Sequence, residues 1–274
     1  MRYYFDTSSL RKASNKLPVN NENIYTSGLA MFELISGMTQ NDYCTRKTII
    51  NNVVNSGIAI DWDSYKMKMH KAFQLSYSDI EGKSIKKMVD IILKSSSFQE
   101  LEREKVYFTE HDYYKLESFS GLDDEISKMG IEESKWGITE WRKEYDKFHR
   151  KGINQELFNN ESFRSFVYSA AELKFMSFLE DITQTKRPST EYFKALEKYD
   201  KSLELFFLCG QIRYSLAQLK GMQYAKNDTL DILHTIYVSK ETIMVSDDKI
   251  FKDLSNWCSG FTCLNLNEFF EEVQ

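Results

Sequence analysis

The sequence predicts an α/β protein: a parallel-sheet core built from the two ends of the chain, with a large all-α insertion between them. Three observations carry this reading. Short apolar runs at both ends stop at acidic residues: Arg2-Tyr3-Tyr4-Phe5 before Asp6, and Thr242-Ile243-Met244-Val245 before Ser246-Asp247-Asp248. Between about residues 63 and 220 the texture changes to helical periodicity. With only two prolines, Pro18 and Pro188, and 11 glycines, the chain has too little turn punctuation for an all-β fold.

Residues 2–5 read as a short buried strand. Residues 8–20 are polar, with room for a short helix before Pro18. Asn23-Ile24-Tyr25-Thr26 is a second strand, and Ser27 suits the N-cap of a helix running to about Met38. Leu29, Phe32, Ile35 and Ser36 lie near one stripe of that helix, with Glu33 inside it. A helix over 46–54 and an apolar run at 58–60 complete the first part of the core, assigned to residues 1–62. Residues 63–220 form the insertion, where segments such as 85–93 and 165–176 are amphipathic helices whose Met and aromatic stripes read as core. The core resumes over 221–274: a helix at 227–237, a strand at 243–245, a short helix at 249–254, a strand at 262–266 and an acidic helix at 267–273.

Composition narrows the function classes. The chain is 42% hydrophobic over 274 residues, enough for a substantial core. A net charge of −5 excludes a global basic field for nucleic acid, although local basic patches still steer substrate. One such patch, Arg11, Lys12 and Lys16, directly follows the first acidic motif. Cys44, Cys209, Cys258 and Cys263 form no CxxC pair and have no His at finger spacing, so neither structural zinc nor a disulfide framework is expected. Charge at Arg2 and Asp6 comes too early for a signal peptide, and no apolar run reaches the length of a membrane span. A cytoplasmic, reducing location with no membrane partner is the expectation. Gly82-Lys83-Ser84 lacks the first glycine of a phosphate loop, since Tyr77 stands there, and His70, His111, His149 and His234 form no metalloprotease motif.

The acidic residues are more informative. In an open parallel sheet, ligands bind beyond the carboxyl ends of the strands, which is where Asp6 and the Asp247/Asp248 pair stand. Glu33 and the Asp228/Asp231 pair follow on helices, the latter at i, i+3 and so on one face. Asp228 reads equally well as a helix cap. Carboxylates that converge with no basic partner need a cation, and hard oxygen ligands favour Mg²⁺ or Mn²⁺. His234, three residues after Asp231, reads as a hydrogen-bonded core histidine. Arg213 and Lys226 read as an exposed helix face, with phosphate contact as the alternative.

The order of these segments resembles that of the PIN-domain nucleases: a strand ending in Asp followed by Thr/Ser (Phe5-Asp6-Thr7-Ser8), a Ser-led helix bearing Glu (Ser27 to Leu34), a helix opening with Asp (Asp231-Ile232-Leu233-His234), and a strand ending in Ser-Asp-Asp-Lys-Ile-Phe (246–251). The resemblance covers residues 1–60 and about 221–274. It implies a PIN-like, Rossmann-like three-layer core. It implies Asp6, Glu33, Asp231 and Asp248 as catalytic ligands of one or two Mg²⁺ or Mn²⁺, with Asp228 and Asp247 as neighbouring or alternative ligands. Thr7, Ser8 and Ser246 would orient carboxylates or contact phosphate, and Arg11 and Lys12 would bind substrate. The implied activity is metal-dependent hydrolysis of RNA phosphodiesters by an endoribonuclease, as in a toxin–antitoxin or defence pair. RNA is the implied substrate, and an antitoxin-like protein or a second copy of the chain the implied partner. The alternative is a catalytically silent PIN-like scaffold that binds RNA or protein through the insertion.

Overall fold

A computed structural model describes residues 1–128, 161–219 and 227–273. Its centre is a five-stranded sheet of order β3-β2-β1-β6-β7 in which every pairing is parallel. The strands are β1 (Arg2–Phe5), β2 (Ile24–Ser27), β3 (Ala59–Asp61), β6 (Thr242–Val245) and β7 (Thr262–Leu264). The two ends of the chain meet in the middle, with Tyr4 paired to Met244 and Phe5 to Val245. All residues of β2 and β6 are buried, as are Tyr3, Tyr4 and Phe5 of β1. A parallel strand buried on both faces needs helices on both faces, which matches the α/β expectation at the level of a layered core. The chain leaves β1 toward β2 and β3 on one side and returns through β6 and β7 on the other. The strand order therefore reverses between β1 and β6, and a crevice forms beyond their carboxyl ends.

Helix starts follow capping chemistry. Helix α1 (Thr7–Ala13) begins directly after the strand because the Asp6 carboxylate accepts the Ser9 N–H. Helix α2 (Gly28–Ile35) is capped by Ser27, which accepts from the Ala30 N–H as the sequence suggests. Helix α3 (Tyr43–Asn55) leads to β3. In the insertion, Ser64 and Asp79 cap α4 (Tyr65–Ala72) and α5 (Ile80–Lys94) in the same way, and Ser97 caps α6 (Phe98–Arg103). Helix α7 covers 116–128. It is followed by α8 (Glu161–Thr183), α9 (Thr190–Glu197) and α10 (Glu204–Leu219). The core resumes with α11 (Asp228–His234), continued by a 3₁₀ turn over Thr235–Tyr237, then α12 (Lys249–Trp257) and α13 (Leu266–Val273). Lys226 and the boundary at residue 221 lie outside the described residues.

One expectation about the insertion needs correction. It is not all-α: β4 (Val106–Tyr107) and β5 (Tyr113–Tyr114) form an antiparallel ribbon. Cross-strand ring pairs hold it, Tyr107 on Tyr113 at 5.4 Å and Phe108 on Tyr114 at 5.0 Å. The insertion packs on the core. Ile85, Met88, Val89 and Ile92 of α5 join Phe32, Leu34 and Ile35 of α2 in one continuous buried cluster. No helix among the described residues is long and apolar enough to cross a membrane.

Gly82 sits where α5 passes the end of β3. A Cβ there would stand 2.3 Å from the Trp62 carbonyl oxygen and 2.4 Å from Asp79 Oδ2. Gly82→Ala is therefore expected to cost about 1–3 kcal/mol through overpacking against backbone. An unchanged urea midpoint would refute this packing.

Candidate active site

Asp6 stands at the tip of β1, buried, and its carboxylate is held from three sides. Ser9 N–H donates to Oδ1 at 2.8 Å, Ser8 Oγ donates to Oδ2 at 3.0 Å, and Ser246 Oγ donates to Oδ2 at 2.5 Å. Ser246 comes from the tip of β6, and its oxygen in turn accepts the Asp248 N–H at 3.1 Å. Ser8 and Ser246 thus both hydrogen-bond the Asp6 carboxylate. Burial pushes the Asp6 carboxyl above its ordinary range, outweighing the lowering effect of His234, Ser246 and Ser9, and Asp248 adds to the rise.

Glu33 faces the same crevice from α2. Its Oε2 accepts from Thr7 Oγ1 and, at 2.7 Å, from His234 Nε2. The other histidine nitrogen, Nδ1, lies 2.6 Å from the Tyr4 hydroxyl, which lies 2.6 Å from Ser27 Oγ. Burial pushes Glu33 upward, but the His234 charge and the hydrogen bonds from His234 and Thr7 hold it below the ordinary value. Burial pulls His234 down, but Glu33 first, then Asp6 and Asp231, raise it. The pairing favours the charged form of each partner, the imidazolium and the carboxylate. The histidine's contribution to stability is full below its unfolded pKa and is lost as pH rises through the raised folded one. The glutamate's is full above its unfolded pKa and is lost as pH falls through the lowered one. His234 takes the hydrogen-bonded core role that its sequence position suggests, and it also holds Glu33. Tyr4 escaped the sequence reading, although a buried tyrosine needs a partner for its hydroxyl.

The two remaining pairs of acidic residues split. Asp228 is buried, and Arg213 Nη2 donates to its two carboxylate oxygens at 2.8 and 2.9 Å. The ligand role expected for Asp228 is corrected by that pairing, and so is the exposed face expected for Arg213, whose side chain is 9% exposed. Asp247 is likewise occupied, by Lys12 Nζ at 2.8 Å and the Leu266 N–H at 3.1 Å, so it turns toward α1 and α13. Asp231 and Asp248 are different: among the described residues, neither carboxylate accepts a hydrogen bond or pairs with a cation. Burial drives Asp231 up to about 7, with Glu33, Asp248 and Asp228 adding and His234 opposing. Asp231 thus feels the charge of Glu33 and Asp248, and Asp6 that of Asp248. Lys12, whose field reaches Asp247, Asp248 and Asp6, and Arg11, which donates to the Glu33 carbonyl at 3.5 Å, stand exposed beside them on α1.

The donor set suits a hard divalent cation in type and in charge, since ionising Asp231 beside its neighbours is unfavourable until something positive arrives. The cage is not closed: among the described residues, no three His, Cys, Asp or Glu side chains are already gathered to hold an ion. Asp6 and Glu33 are each held by hydrogen bonds, which leaves Asp231 and Asp248 as the carboxylates with open oxygens.

The chain matches no family model, no curated protein and no solved structure.

Neighbouring acids on one helix should respond in opposite directions. Asp228→Asn breaks a buried ion pair and is expected to cost about 3–5 kcal/mol. Asp231→Asn removes a carboxylate whose folded pKa is raised. That group is neutral at low pH and destabilises the fold as pH rises from its unfolded value through about 7. This variant should be more stable than the parent at pH 8, on the order of 4 kcal/mol, and nearly equal at pH 4. Thermal melts of both variants at the two pH values check the pattern, and a destabilised Asp231→Asn at pH 8 would contradict it.

Proposed function

We propose that this protein is a divalent-metal-dependent endoribonuclease whose site is the crevice between β1 and β6. The observation that supports the reading is the electrostatic influence of Glu33 and Asp248 on Asp231 and of Asp248 on Asp6, groups brought from a strand tip, two separate helices and the segment after β6. RNA as the substrate, and a toxin–antitoxin or defence setting, rest on the resemblance of the ordered motifs to PIN-domain nucleases. A Mg²⁺ or Mn²⁺ ion held by these carboxylates would neutralise charge on the scissile phosphate and acidify a water. The chain's own groups prepare that chemistry. Ser8, Ser9 and Ser246 fix the direction of Asp6, Thr7 and His234 fix Glu33, and Arg11 and Lys12 offer the phosphate two exposed cations.

A second reading is favoured by one specific observation. Asp6 and Glu33 are satisfied within the protein and no closed cage exists among the described residues, as in a silent scaffold that binds RNA or protein without turnover. Metal titration separates the two readings, because a scaffold has no saturable Mn²⁺ site that depends on Asp231.

For the nuclease, Asp6→Asn and Asp248→Asn should each lower cleavage of a single-stranded RNA at least about 100-fold, the scale of losing preorganised charge at a reacting centre. Far-ultraviolet circular dichroism should stay unchanged, and EDTA should abolish cleavage of the parent. Full cleavage in EDTA, or by either variant, would overturn the proposal.

A further inference from the structure

A recess opens at the same end of the sheet as the acidic crevice, where the chain leaves β2 and β3. Its volume is about 60 Å³. It shares Tyr65, Lys66 and Glu125 with a wider opening of about 720 Å³ between α4, α7 and α8. Leu29 and Phe32 of α2 form part of its apolar wall, and α2 also carries Glu33. Tyr237 is a second link. It lines the recess, and its ring stacks on Tyr4 at 6.0 Å and 3°. Tyr4 in turn is bonded through His234 to Glu33. The recess and the crevice are thus neighbours joined by packed side chains.

The lining has a specific chemistry. The rings of Phe32, Tyr65, Tyr114, Phe119 and Tyr237 surround it, and aromatic walls suit a flat heterocycle. Two charged groups stand side by side among them: Lys66 Nζ lies 2.6 Å from Glu81 Oε1, joining α4 to α5. The Glu81 side chain is only 18% exposed. Burial pushes the Tyr65 hydroxyl up to about 12, so it remains a protonated donor at neutral pH. The recess therefore offers flat apolar contact, one carboxylate with two acceptor oxygens, and an ammonium donor beside it.

We infer that this recess binds an unpaired guanine base of an RNA strand. Guanine presents a carbonyl beside two adjacent N–H donors on one edge. The Glu81 carboxylate accepts from both donors while Lys66 donates to the carbonyl. Adenine, cytosine and uracil lack the pair of adjacent donors. Splayed single-stranded bases are recognised in this way, by stacking on aromatic side chains and by hydrogen bonds to the base edge. A recess of about 60 Å³ admits the edge of a base, and the wider opening, lined by Lys66, His70 and Lys128 as well as Glu125 and Asp181, receives the sugar and phosphate. The choice of RNA as the source of the base rests on the nuclease reading above, whereas the preference for guanine rests on the recess alone.

The test is calorimetric titration of the parent protein in EDTA with GMP, IMP, AMP, CMP and UMP, which share the phosphate and differ in the base. GMP should bind at least about 10-fold more tightly than AMP, CMP and UMP, the lower range for one bidentate base contact. IMP, which lacks the second donor, should be weaker than GMP. Glu81→Gln should abolish the preference, with its fold checked by circular dichroism, and Tyr114→Ala should weaken all five nucleotides without reordering them. No binding of GMP to the parent protein, or equal binding of all five, would overturn the inference. The outcome is separable from that of the nuclease reading. GMP preference without metal-dependent cleavage leaves the recess and removes the nuclease, while cleavage without GMP preference does the reverse.

Discussion

The parallel pairing of β1 with β6 is the constraint on which the rest of the structure depends. It joins residues at opposite ends of the chain: Ser246 Oγ reaches Asp6 across 240 positions of sequence. Only this pairing sets the two strand tips side by side, and only then does Asp248 stand over the same crevice as Asp6. The entropy of closing so long a loop grows only logarithmically with its length. A large insertion is therefore tolerated once central strands buried on both faces offset the closure. The insertion also contributes directly, since α5 supplies part of the apolar cluster that covers α2.

A hydrogen-bonded line from Glu33 through His234 and Tyr4 to Ser27 crosses that core. It ties α2, α11 and β1 to one another inside the protein. A buried ion pair contributes little net stability once desolvation is counted, and its best attested value is in specifying geometry. Here it specifies the position of α11, and therefore where Asp231 points relative to Glu33. At the end of the line, the Ser27 oxygen also takes the Ala30 N–H at 3.2 Å.

Much of the core was legible in the sequence because its signals are local. Apolar runs that stop at acidic residues marked β1 and β6, and Ser27 announced α2 through its capping chemistry. The β4–β5 ribbon was not legible, because strands of two residues carry no alternation and depend on ring contacts across the turn. Asp6, Glu33, Asp231 and Asp248 are proposed from their order along the chain. What sequence did not disclose was which acids are already neutralised. The spacing of Asp228 and Asp231 puts both on one helix face and is silent about Arg213, which arrives from α10. Lys12, close to Asp6 in sequence, gives no sign that Asp247 is its partner. Tyr4 looked like one more apolar residue of a buried strand.

The contrast between Asp228 and Asp231 bears on why the site is built as it is. Both acids sit in the first turn of α11, and a fold selected for stability alone would give both a partner. Asp228 has a buried arginine. Asp231 instead faces Glu33 and Asp248, and ionises only near pH 7. Strongly perturbed groups cluster at functional sites, although structural ion-pair networks also perturb pKa values. That second explanation fits Glu33 and His234, whose shifts arise from pairing with each other. It does not fit Asp231, whose rise comes from burial and from like charges, with no partner to benefit. An uncompensated carboxylate held against its neighbours by an otherwise well satisfied hydrogen-bond network is therefore the feature of this crevice that structure alone does not require.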